Sequence, residues 1–136
     1  MSTPGIVEQL PPRYFKDLQS RRTRIKYGPF TVPSSADQNG MKTFTNRNMT
    51  LPCHNCTVVS LQAGLEYTNG SYANADTGMW LHHAILVNMV RNETSCPSIP
   101  EISFASGNER TLLDFSLNGF VIHLAAHRRE RLLLAI

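Results

Sequence analysis

The chain has 136 residues, 41% of them hydrophobic and 17% charged, with a formal net charge of +3. That is the size of one ordinary domain with apolar content for a single core. The positive charge gathers at Arg21, Arg22, Arg24 and Lys26 and again at Arg128, Arg129 and Arg131. Neither cluster has the interleaved aromatic residues of a base-stacking platform, which argues against nucleic acid, and no run reaches the roughly 18 apolar residues of a bilayer span.

Residues 1–25 hold Pro4, Pro11 and Pro12 and no sustained period of 2 or 3.6, so they are expected to form an extended arm with a short helix around Tyr14 to Ser20. They also lack the apolar core, about 7–15 residues long, of a secretory signal. From Tyr27 the texture changes. GPFTVPSS reads as a strand broken by proline, MKTFTNRNMTLP as a second and CTVVSLQAGLEY as a third, rich in β-branched residues. Asn69-Gly70, between EYT and SYANA, is a hairpin signal, because both residues accept the positive φ of a type I′ turn. MWLHHAILVNMV is an apolar run of strand length and predicts a buried central strand. EISFASGNERT predicts a strand and a glycine-containing turn. The remainder, LLDFSLNGFVIHLAAHRRERLLLAI, spaces Ala, Leu and Arg as a helix would.

The composition, rich in Asn, Ser, Thr, Gly and Pro, favours strands and turns, so the fold class expected is mainly β, with a C-terminal helix. Four acceptor patterns for N-glycosylation, at Asn48, Asn55, Asn69 and Asn92, point to secreted ancestry, with a cytoplasmic location as the alternative. Cys53, Cys56 and Cys96 make an odd count, as a truncated disulfide framework would. With TVVSLQ after Cys56, a helix-opening redox motif is absent, and a disulfide from Cys53 or Cys56 to Cys96 is the pairing expected in an oxidising compartment.

His82-His83 is the most informative pair for chemistry. Adjacent residues of a regular strand point to opposite faces, so both imidazoles reach one metal ion only across a twist or bulge, or through different ring nitrogens. The alternative is one buried, hydrogen-bonded histidine and one exposed. Met79 and Met89 flank the pair with soft thioether sulfur suited to copper(I), yet both serve equally as core fillers. His123 and His127 would share a helix face, but Leu124 stands where a zinc hydrolase has its glutamate. There is no phosphate loop, nucleophile elbow or carboxylate pair, which argues against kinase and hydrolase chemistry.

LPCHNCTVVSLQAGLEY, YANADTGMWLHHAILVN and FASGNERT together resemble a group of fungal secreted proteins. Those in turn resemble the copper type II, ascorbate-dependent monooxygenases, such as peptidylglycine α-hydroxylating monooxygenase. The resemblance spans residues 26–111 and implies a jelly-roll β-sandwich, here a partial one, and a copper held by His82 and His83, completed by a third histidine that His123 or His127 would supply. The second, oxygen-activating copper site of that family belongs to a later domain with no counterpart in this sequence. The resemblance therefore implies a truncated copper monooxygenase-like domain, incomplete as a catalyst alone, with residues 112–136 as a divergent helical tail. It also implies a second domain or chain as partner and a small-molecule substrate that the sequence does not specify. The rival expectation is a non-enzymatic secreted or accessory glycoprotein of a fungal biosynthetic pathway.

Overall fold

The computed structural model describes residues 5–47, 49–119 and 121–124 with their side chains and residues 130–135 as strand backbone. Among these residues the protein is mainly β, and its helical elements are three-residue 3-10 turns at Lys16–Leu18, Gln38–Gly40 and Ala75–Thr77. No helix among them is long and apolar enough to cross a membrane.

The strands in chain order are β1 Ile6–Leu10, β2 Arg22–Lys26, β3 Thr43–Asn46, β4 Cys56–Val58, β5 Ser60–Leu61 and β6 Leu65–Glu66. They continue with β7 Tyr72–Ala73, β8 His83–Asn92, β9 Pro100–Ser106, β10 Leu113–Asp114, β11 Ile122–Leu124 and β12 Glu130–Ala135. A four-stranded sheet in the order β3-β12-β8-β9 is the largest unit, and β1-β2, β5-β10, β4-β11 and β6-β7 form antiparallel pairs beside it.

The run MWLHHAILVNMV does supply a central strand. β8 is hydrogen-bonded to β12 on one side and β9 on the other. Ala84, Leu86 and Asn88 are buried at alternate positions, as a pleat with one face in a core requires. Asn88 is fully buried and satisfied: its amide donates to Glu101 Oε2 at 2.6 Å, and its Oδ1 accepts from the Val90 N–H at 3.1 Å. Leu81 and Ala84 centre a hydrophobic cluster that Phe30, Val32, Phe44, Ala63, Leu65 and Met79 pack against. The Phe30 and Phe44 rings lie 4.4 Å apart between centroids, and burying Leu81 there contributes about 2 kcal/mol. Met79 is thus a packing residue, whereas Met89 sits further along β8, more than a third exposed.

The N-terminal segment includes an extended strand, and within it β1 pairs with β2 from Ile6 opposite Lys26 to Leu10 opposite Arg22. Two expectations are corrected. GPFTVPSS forms no strand, since Pro29 and Pro33 lack the N–H a ladder needs. The tail is not helical in its described part: β11 pairs with β4, and β12 lies between β3 and β8 with hydrogen-bonded partners on both sides. Ladder pairing with strands distant in sequence overrides the local helix propensity of Ala, Leu and Arg.

The Asn69-Gly70 turn forms between β6 and β7, with Gly70 alone of the two at positive φ. The Gly70 N–H donates to the Tyr67 carbonyl at 2.9 Å. It is a type I turn followed by a left-handed glycine, not type I′.

Candidate metal centre

The period-two alternation of the run fails at one place. Leu81 is 2% exposed and Ala84 fully buried, but both residues between them, His82 and His83, are exposed. Strict alternation would turn one of the two inward. The phase slips where β8 begins, and the slip places two adjacent imidazoles on the same side.

The consequence is direct contact. Nδ1 of His82 meets Nδ1 of His83 within hydrogen-bonding reach, and the ring centroids are 4.1 Å apart with the planes at 74°. In such a contact one nitrogen carries the proton and the other offers its lone pair. With both protons on Nε2, both Nδ1 atoms are left as unprotonated donors on neighbouring residues. Trp80 sets its ring edge-on to His82 at 5.1 Å. A groove of about 570 Å³, lined by residues including Val32, Met41, Met79 and Trp80, opens beside His82.

The SGNER turn holds the other side. The β8-β9 ladder ends at Ala84 opposite Ser106. Gly107 follows, buried, and donates its N–H to Glu109 Oε1 at 2.9 Å. Asn108 Oδ1 accepts from the Ala75 N–H at 3.0 Å, and the Asn108 carbonyl accepts from the Tyr72 hydroxyl at 3.2 Å. Arg110 stacks its guanidinium 4.6 Å from the Tyr72 ring centre. These contacts bind the β6-β7 hairpin to the histidine-bearing end of β8. The sequence marked this segment only as a turn. A glycine directly after a strand was the available signal that a close backbone approach occurs here.

The donor set suits copper, because imidazole serves both of its oxidation states. Among the described residues no three His, Cys, Asp or Glu side chains gather as a metal group. His123 lies on β11 opposite Thr57, outside the four-stranded sheet that carries the pair. His127 lies outside the described residues.

Cys53 and Cys56 are joined to each other, with Cα atoms 6.1 Å apart, and Cys96 is free and exposed. This differs from the expected bridge to Cys96. A tight turn with Asn55 at φ 52° brings the two neighbours together, while Cys96 sits in the turn closed by Glu93 and Ile99. Of the glycan acceptors, Asn55, Asn69 and Asn92 are exposed, and Asn69 Oδ1 accepts from both the N–H and the hydroxyl of Ser71. Asn48 lies outside the described residues.

The chain is 38% identical over 103 residues to a protein of Phoma sp. named "Probable copper-dependent oxygenase M1", a match covering 74% of this chain and 26% of that relative. It is 41% identical over 61 residues to "Probable copper-dependent oxygenase clz3" of Cochliobolus lunatus, covering 43% of this chain and 20% of the relative. The chain therefore resembles fungal proteins named as copper-dependent oxygenases and matches 26% and 20% of their length. No family model and no solved structure matches it.

Proposed function

We propose that the chain is a copper-binding portion of a copper oxygenase-like protein, holding one copper through Nδ1 of His82 and Nδ1 of His83. The observation that carries this reading is the convergence of the two Nδ1 atoms at the phase slip before β8. Copper so bound would supply one-electron redox chemistry. The protein's own part is to keep both imidazoles on one side and to wall the site with Trp80 and Met79. A third donor would be His123 or His127 of this chain, or a residue of another domain or chain.

The proposal includes an incomplete catalyst. The match leaves 74% and 80% of the two relatives uncovered, the remainders of 26% and 20%, and further ligands and the substrate surface would lie there or in a partner chain. The small-molecule substrate is not specified by these residues. The Cys53–Cys56 bridge and the three exposed acceptor asparagines support passage through an oxidising, glycosylating compartment.

The test is a titration of the purified chain with copper(I) and copper(II), beside His82→Ala/His83→Ala, with circular dichroism following the fold. Stoichiometric binding by the wild type that the folded double variant loses is the expected result. A folded wild type that binds no copper, yet carries glycan when secreted, would replace this reading with that of an accessory glycoprotein.

A further inference from the structure

We infer that Gly107, clasped by Glu109, is the positioning element that keeps His82 and His83 on one side of β8. The inference rests on the copper reading for its purpose, but on geometry for its content.

Glycine is not needed at 107 for backbone conformation. The glycines at positive φ are Gly28, Gly40, Gly70, Gly78 and Gly119, so position 107 does not need the left-handed region that favours glycine. What position 107 lacks is room. A Cβ there would stand 3.0 Å from the His82 carbonyl oxygen, 3.5 Å from the Leu81 carbonyl oxygen and 2.9 Å from Glu109 Oε2. The carboxylate can swing away because Glu109 is exposed. The Leu81 carbonyl is at ordinary contact distance, but the His82 carbonyl is too close and is held between Leu81, anchored in the core, and Ala84, fixed in the ladder opposite Ser106.

The phase slip occupies the residues between those two anchors. With both side chains facing outward, the His82 carbonyl lies against Gly107, in the segment that continues β9. The missing side chain is thus the space into which the slip folds. Glu109 fixes that space by accepting the Gly107 N–H at 2.9 Å, and the Arg110 N–H closes the turn on the Gly107 carbonyl at 3.1 Å. A side chain at 107 pushes on the His82 carbonyl and rotates one imidazole away from the other. Gly107 touches no ligand atom, so its role is positioning.

The experiment compares wild type, Gly107→Ala and Leu124→Ala, the last a buried residue of β11 that reports general loss of stability. Copper(II) affinity and the electron paramagnetic resonance spectrum are measured on each folded protein, and imidazole nitrogen shifts on the metal-free proteins. Gly107→Ala is expected to weaken copper about 10-fold, the scale of lost support around metal ligands, to change the copper hyperfine splitting, and to abolish the Nδ1–Nδ1 proton sharing in the metal-free state. Leu124→Ala keeps the wild-type spectrum. If Gly107→Ala does not fold, Glu109→Ala, which removes only the exposed clasp, is expected to shift the spectrum in the same direction. Wild-type binding with an unchanged affinity and spectrum in Gly107→Ala overturns the inference while leaving the copper site standing. Failure of the wild type to bind copper sinks the copper reading instead, and the nitrogen shifts still decide whether Gly107 aligns the pair.

Discussion

His82 and His83 are neighbours in sequence and also neighbours through the same ring atom, Nδ1 to Nδ1. On the copper reading proposed above the two rings would act as one chelate, so that removing either would leave a lone imidazole. Each single substitution, His82→Ala or His83→Ala, should therefore lower copper affinity by about 100-fold or more, nearly as far as the double substitution, with strong non-additivity. Met89→Leu, further along β8, should leave affinity unchanged. Competition titrations against a chromogenic chelator measure all four variants. Additive losses would show that the two rings bind separately.

The residue before the pair should matter to both stability and metal. Leu81 is buried at the centre of the cluster with Ala84, Phe30 and Phe44, and its backbone carbonyl lies beside Gly107. Leu81→Ala should cost about 3 kcal/mol in urea unfolding, and the residual folded protein should bind copper more weakly because the first anchor of the slip is loosened. A large stability loss with wild-type copper affinity would mean that the slip is held from the Ala84 side alone.

What the sequence made legible was local. The apolar run around His82 predicted a central strand and β8 is one. Asn69-Gly70 marked a turn that forms, and the glycine of SGNER marked another. The slip between His82 and His83 was foreseeable only as a condition, that a shared metal needs a broken alternation, because the groups that impose it come from Gly107 and the core under Leu81. Long-range pairing was not legible at all. The helix-like spacing of residues 112–136 gave no sign that β12 inserts between β3 and β8. The β1-β2 hairpin is closed by an 11-residue connection containing Pro11 and Pro12, with Phe15 and Gln19 in the left-handed region, and no short turn motif announces such a connection. Three cysteines permit three pairings, and only the turn at Asn55 selects one.

Cysteine chemistry tests that selection. In the unreduced protein one thiol, Cys96, should react with an alkylating reagent, and all three should react after reduction and unfolding. Peptide mapping should place the unreduced label at Cys96 alone. Cys96→Ser should abolish unreduced labelling and any air-oxidised dimer without changing stability, since the side chain is exposed. Cys53→Ser should free Cys56 and lower stability by about 2 kcal/mol, the chain-entropy value for so short a loop. Label at Cys53 or Cys56 in the unreduced wild type would contradict the pairing.

The connection between β1 and β2 is tied to β10 by a pair of titrating groups, which gives its stability a defined pH dependence. The Ser116 hydroxyl and then the Ser116 N–H, the latter at 2.8 Å, donate to the Asp114 carboxylate, and with the Tyr14 hydroxyl and Arg13 they hold its pKa below the ordinary value. Tyr14 is pushed above its ordinary value, first by donating its hydroxyl to Asp114 and then by partial desolvation and the negative charge of that carboxylate. A carboxyl with a depressed pKa stabilises the fold above its unfolded value, about 3.9, and that stabilisation is lost as pH falls through the lower folded value. A phenol with a raised pKa stabilises below about 10 and loses its contribution as pH rises through the higher folded value. Both groups are solvent-accessible, so the effects are small. Thermal unfolding of wild type and Asp114→Asn should differ at neutral pH and converge at about pH 2, while Tyr14→Phe should approach wild type at both ends, in acid as the Asp114 carboxylate is protonated and in alkali as the phenol ionises. A constant difference between wild type and Asp114→Asn down to the lowest pH would mean that the asparagine changes packing and that the ionised carboxylate does not hold the hairpin.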